Sequence, residues 1–303
     1  CRSLHIRSWR KGHFWLAPGH HSIRKRDIEN GSALWCAAVL IFSELMVQII
    51  ISILTRFVPR HRLHSLSHWS ILRIAFLWHG RRFEDPISGK TYRKMLPYGR
   101  MHSRPNALAP HSLSLERHRT LWLYLKRETD FFQKPARMLH LAPEYCFLGL
   151  FKQMSHLDYV TADLNSPWAD HHFDVHDIPL EEGSFDVIMG NHLLEHVEND
   201  LRTLQEFYRV MKPGGWGIFQ VPIDMNNPTT QEDPLVTDPK ERERLYWQSD
   251  HVRLYGYQGY VERLEEAGFT LETVNYGDVL GEELVERYCL GSERMMYVAR
   301  KPA

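Results

Sequence analysis

From Arg137 onward, short apolar runs alternate with stretches of helical period, the pattern of a parallel sheet flanked by helices. Strands are predicted at 137–141, 158–162, 185–190, 216–221, 269–275 and 294–300, and helices at about 144–154, 199–211 and 256–267. Upstream, Ser114 is placed to cap a helix running from Leu115 to about Thr129, with Glu116 in its electropositive first turn and Leu121, Trp122 and Leu125 on an apolar face. Residues 81–135 are therefore expected to form a cap with two turns and a helix, beside a main domain at 136–303. Within that domain, 223–250 is rich in Pro, Asp and charged residues and reads as an inserted loop or lid.

Residues 1–80 are poorly defined by comparison. The first methionine is Met46, and the Trp-, His- and Arg-rich residues 1–45 are read as upstream sequence from a misplaced start, or as a fragment edge. The apolar run 33–55 is long enough to cross a bilayer and has basic residues on both sides. Against this, Glu44 and Gln48 fall near its middle, and a central carboxylate costs about 2.5–3.5 kcal/mol on insertion scales. If the chain starts at Met46, residues 46–78 read instead as a basic amphipathic segment lying on this protein or on a membrane surface.

Lys+Arg and Asp+Glu balance at 37 each, so no overall field favours a polyanion and nucleic acid is not an expected partner. Cys1, Cys36, Cys146 and Cys289 form no CxxC pair, which suits a reducing, cytoplasmic compartment and excludes a thiolate metal site. No metal is expected, and the pair His171 and His172 reads as a solvated loop. Asp85-Pro86-Ile87-Ser88 and Ala109-Pro110-His111-Ser112 resemble the two knuckles of a small CPxC ribbon without its thiolates. They are predicted to be tight turns held by packing and hydrogen bonds. Glu116, Arg117, His118 and Arg119 either line a cleft or form a solvated, salt-bridged helix face, and the solvated face is the expectation.

In an open parallel sheet, ligands bind beyond the carboxyl ends of the strands. Asp163 closes the second predicted strand at about the βαβ distance from which a carboxylate can accept ribose hydroxyls. Asp174 follows, then "DIPLEEGSFDVI", "NHLLEHVEND" and "MKPGG". With these passages in this order, residues 136–222 resemble the class I S-adenosylmethionine-dependent methyltransferases, particularly the type 11 family. The resemblance implies a Rossmann-like doubly wound α/β sheet of the seven-stranded methyltransferase type. It also implies S-adenosylmethionine as cofactor, with Asp163 at the ribose hydroxyls, Asp174 and the backbone of Val175 at the adenine edge, and Asn191 and His192 beside the methionine portion. The lesser alternative for Asp163 and Asp174 is a turn residue or helix cap, while His192 can equally be a packed histidine; Asp186 is expected to be structural.

The chain departs from the family where an acidic residue and GxGxG would stand, reading His140, Leu141, Ala142, Pro143, Glu144. Glycine suits that turn because φ is often positive and the backbone must approach the cofactor closely. Ala142 adds only a methyl group, Pro143 can open the following helix, and Glu144 can replace the missing acid. Candidate proton acceptors are His192, His251 and Tyr255, with His196 a packing or capping residue. Arg242, Arg244 and Arg253 are available to an anionic substrate. The expected function is methyl transfer to a small-molecule or lipid-linked acceptor, with peripheral membrane contact through the N-terminal segment. The alternatives are a catalytically silent cofactor-binding or interaction protein, and an NAD-dependent oxidoreductase, which the absence of GxGxxG disfavours.

Overall fold

The computed structural model describes residues 71–99 and 103–303. The expectations for 1–45 and 33–55, and most of that for 46–78, lie outside them. Among the described residues, the compact unit below comprises 71–99 and 104–303. Among the described residues, no helix is long and apolar enough to cross a membrane.

The unit is built on a mixed six-stranded sheet. Its strands are β5 (Ala136–Leu141), β6 (Leu157–Ala162), β7 (Phe185–Met189), β8 (Met211–Ile218), β12 (Thr270–Asn275) and β13 (Met295–Arg300), in the order β12-β13-β8-β7-β5-β6. The pairs from β8 through to β6 are parallel, whereas β13 is antiparallel to both of its neighbours. Where a seventh strand would add beyond β6, the chain makes a single parallel bridge, Ala162 to His171.

Burial on both faces explains the near-continuous apolar runs of β5 and β7. Leu139, Leu141 and Ile188 enter one core with Leu204 and Phe207 of α3 (Asp200–Val210) and Tyr260 and Leu264 of α5 (Tyr257–Glu266). Met138, Val187 and Met189 enter the other core with Leu121 and Leu125 of α1 (Glu116–Arg127) and Phe147 and Phe151 of α2 (Tyr145–Lys152). The order of connection reverses between β5 and β7. That reversal sets the tips of β5 and β7 side by side and opens the crevice where doubly wound sheets take ligands.

Two short hairpins precede the sheet: β1 (His79–Asp85) with β2 (Lys90–Tyr92), and β3 (Leu96–Tyr98) with β4 (Arg104–Leu108). The first knuckle is a hydrogen-bonded turn, as the sequence indicated. Buried Asp85 accepts from the amides of Ile87 and Ser88 and from the Ser88 hydroxyl. Ser114 is not the helix cap: its hydroxyl donates to Asp85, and the N-cap is Leu115, whose amide donates to Nδ1 of His118. Nor is the start of α1 solvated. Glu116, His118 and Arg119 are buried, and the Arg119 guanidinium donates to the carbonyls of Ala107, Ser114, Tyr288 and Cys289.

Candidate functional site

Ala142 continues the sheet through its amide, which donates to the Ala162 carbonyl at 2.9 Å. It then turns with φ of 47°, the left-handed conformation for which glycine is the usual residue. The chain makes the glycine-type turn with an alanine and carries the associated strain. Pro143 precedes the helix rather than opening it, since the N-cap of α2 is Glu144.

Glu144 points back into the turn. One carboxylate oxygen meets Nε2 of His140, whose Nδ1 lies 2.7 Å from the Tyr159 hydroxyl, and the other accepts from the Asn191 amide at 2.9 Å. Burial disfavours ionised Glu144, but the charge and hydrogen bond of His140 outweigh it, with smaller contributions from His118 and Asn191. The carboxyl is held down at about 2. Asn191 is itself fixed, its Oδ1 accepting from the Gln220 amide. A carboxylate has about four acceptor sites, so Glu144 keeps capacity for a further donor.

Asp163, just past β6, accepts the amides of Asn165 and Ser166 through Oδ1. This is an Asx turn, the alternative left open in the sequence, and it leaves Oδ2 without a hydrogen bond among the described residues. Leu164 beside it is 62% exposed and offers an apolar face next to the carboxylate. Exposed Asp174 accepts from the amide and Nδ1 of His176, which holds its carboxyl below the usual range. Half-buried Val175 packs against the sheet core.

Helix α1 brings further polar groups that the sequence alone left undecided. The His118 ring meets Phe147 of α2 edge-on at 5.8 Å. Burial, then the charge of Arg117, pushes His118 down to about 3, and the charges of Glu144 and His192 also act on it. It is neutral, and with Nδ1 accepting from Leu115, its Nε2–H has no acceptor among the described residues. Nε of Arg117 is likewise unpartnered.

Past β7, His192 takes φ of 52°, a strained conformation of the kind that recurs at functional sites. Its Nδ1 lies 3.1 Å from Oε1 of buried Glu195, and its Nε2 makes no hydrogen bond among the described residues. Tyr255 and His251 are both buried. The Tyr255 hydroxyl donates to Asp200 at 2.6 Å, and burial pushes its pKa far above the ordinary phenol value. His251 Nδ1 lies 2.8 Å from the Tyr246 carbonyl.

The segment 223–250 contains β9 (Ile223–Asp224), β10 (Gln231–Glu232) and α4 (Pro239–Tyr246). The two strands flank β11 (Arg253–Gly256) in a separate small sheet. Arg253 is consumed by structure: it donates to the carbonyls of Leu194, Val197 and Glu198 and to Glu232. Arg242 bonds the Val236 carbonyl and Arg244 pairs with Glu241. Asp186 is structural as expected, joining the Arg137 amide to Lys212.

Residues 150–219 match the family model described as "Methyltransferase domain", in agreement with the type 11 resemblance of the motifs. Similar solved structures include the cyclase SpnF (14% identity, TM-score 0.44, 62% of this chain and 82% of that one). Others are the YcgJ protein of Bacillus subtilis (13%, 0.39, 61% and 99%) and the carbon methyltransferase CurJ (13%, 0.39, 62% and 54%). At these scores the likenesses carry no argument about function. No curated protein matches the chain.

Proposed function

We propose that this chain, whose residues 150–219 match a methyltransferase domain of the type 11 family, binds S-adenosylmethionine and transfers its methyl group to a small-molecule or lipid-linked acceptor. The observation that carries the reading is the corner at the tips of β5 and β7. There Ala142 adopts the glycine-type turn, and Glu144, ionised and fixed by His140 and Asn191, stands where the family's acid is missing. The residues present fit the cofactor. Glu144 offers a carboxylate to the ammonium, Oδ2 of Asp163 is free for the ribose hydroxyls, and Asp174 with the Val175 backbone suits the adenine edge. Arg117 and the unpaired Nε2–H of His118 suit the carboxylate end.

The bound cofactor supplies an electrophilic methyl group on a sulfonium whose leaving group departs neutral, so the protein's part is alignment and exclusion of water. Asn191 and Glu144 orient the methionine portion. His192, with Nδ1 held by Glu195, presents Nε2 as the proton acceptor for a substrate that carries a proton at the reacting atom. Tyr255 and His251 take no part in that step: both are buried, with the Tyr255 hydroxyl held by Asp200 and Nδ1 of His251 by the Tyr246 carbonyl.

Isothermal titration with S-adenosylmethionine and, separately, with NADH tests the reading. Binding of the sulfonium compound alone supports it, whereas binding of NADH alone would favour an oxidoreductase. Methyl transfer to candidate acceptors then separates an enzyme from a silent binder.

A further inference from the structure

Glu195 and His196 lie in the stretch that follows β7, and His251 lies just before β11. The Val252 amide donates to the Glu195 carbonyl at 2.9 Å, and Arg253 ties β11 to the carbonyls of Leu194, Val197 and Glu198. These backbone ties bring together three side chains that are far apart in the sequence. The rings of His196 and His251 meet edge-on at 4.8 Å. A carboxylate oxygen of Glu195 and one nitrogen from each histidine all lie within 4.8 Å of one another.

Two of these side chains have unused polar atoms. Glu195 and His251 are each 1% exposed, yet Oε2 of Glu195 and Nε2 of His251 have no hydrogen-bond partner among the described residues. Leaving a buried donor or acceptor unpaired is costly, the more so when the group is charged. A cation between them would satisfy both at once.

The hydrogen bonding of His251 suits such a cation. With His251 Nδ1–H donating to the Tyr246 carbonyl, the lone pair lies on Nε2. A carbonyl accepting from the far nitrogen is a usual way a ligating imidazole is fixed.

We propose that Glu195, His196 and His251 bind one divalent first-row metal ion, zinc in the first instance. Two imidazoles and one carboxylate form a donor set zinc accepts, and three protein ligands leave a coordination position for an exogenous oxygen or nitrogen. Bonds of about 2.0–2.2 Å bring tetrahedral ligand atoms to roughly 3.4 Å apart. The set must therefore contract toward the ion, with His196, partly exposed at its side chain, ligating through Nε2 while its Nδ1 lies 3.3 Å from the Asp250 carbonyl. The other Glu195 oxygen faces Nδ1 of His192, so the ion and the proposed proton acceptor share one carboxylate. The cluster is not legible in the sequence because His251 is distant in the chain from Glu195 and His196.

The test is zinc content and cobalt absorption of the full chain, purified without a histidine tag, stripped with chelator, reloaded and gel-filtered. One equivalent of zinc per chain is expected, together with the visible absorption of low-coordinate cobalt. His196→Ala should weaken zinc binding at least about tenfold without unfolding the protein, because that ring is partly exposed. Glu195→Gln should do the same, and the double variant His171→Ala/His172→Ala should leave binding unchanged. Substoichiometric zinc in the wild type, or equal zinc in wild type and His196→Ala, overturns the proposal. Neither readout needs S-adenosylmethionine, so the outcome does not depend on the proposed methyl transfer.

Discussion

The Glu144 carboxylate at the N-cap of α2 bonds Nε2 of His140 at the end of β5, so a side chain one turn later places a carboxylate beside the strand end. The pH dependence of this contact follows from Glu144, whose carboxyl falls from 4.5 to about 2 on folding. A carboxyl depressed in the folded state contributes stability that is present above the unfolded value and lost as pH falls through the folded one. Wild type should therefore exceed Glu144→Gln by up to about 3 kcal/mol at pH 6, and the gap should close between about pH 4.5 and 2. Urea unfolding across that range measures it. A constant gap would remove the carboxylate from the account.

Ala142 sits at φ of 47°, where a Cβ is strained and glycine is not. Ala142→Gly trades that strain against a more flexible unfolded chain. The expected net effect is stabilisation by about 0.5–1 kcal/mol with S-adenosylmethionine affinity retained. Thermal unfolding with and without the cofactor checks both parts, and destabilisation would show that the alanine is unstrained.

Arg119 stands where the sequence suggested a solvated helix face. Arg119→Met leaves four carbonyls and the nearby buried Asp85 without their cation. A loss of about 3–5 kcal/mol is expected in denaturant titration. Arg119→Lys should not restore it, because a point ammonium cannot reproduce the planar fork.

Tyr255→Phe removes the hydrogen bond to Asp200 and should cost about 1–2 kcal/mol of stability. The dissociation constant for S-adenosylmethionine should stay within about twofold, because the hydroxyl faces the core. A large loss of cofactor binding at unchanged stability would return Tyr255 to the site.

The strands of the main sheet were legible because burial on both faces leaves a strand little but apolar residues, and the observed β5, β6, β7, β12 and β13 fall within a residue of the expected spans. β8 begins earlier, at Met211, because "MKPGG" joins the strand through a register irregularity against β7. The hairpins β1 to β4 were not legible. Their strands are three to seven residues long, and the Asp85 turn and Arg119 that hold them act through contacts distant in sequence. At the site, Ala142, Glu144 and Asn191 meet at one corner. Tyr255 and Arg253 carry the residue types of an active site but spend their polar atoms on buried structure, which only the tertiary contacts reveal.

The central claim is that the carboxylates beyond β5 and β6 hold S-adenosylmethionine, and Asp163→Asn tests it most directly. Asparagine can keep the Asx turn through its side-chain oxygen while losing the charge that Oδ2 presents. Calorimetric titration of S-adenosylmethionine into wild type and into Asp163→Asn should show one site in the wild type, weakened roughly 10- to 100-fold in the variant. Equal affinities in the two proteins, or no binding by the wild type, would contradict the account.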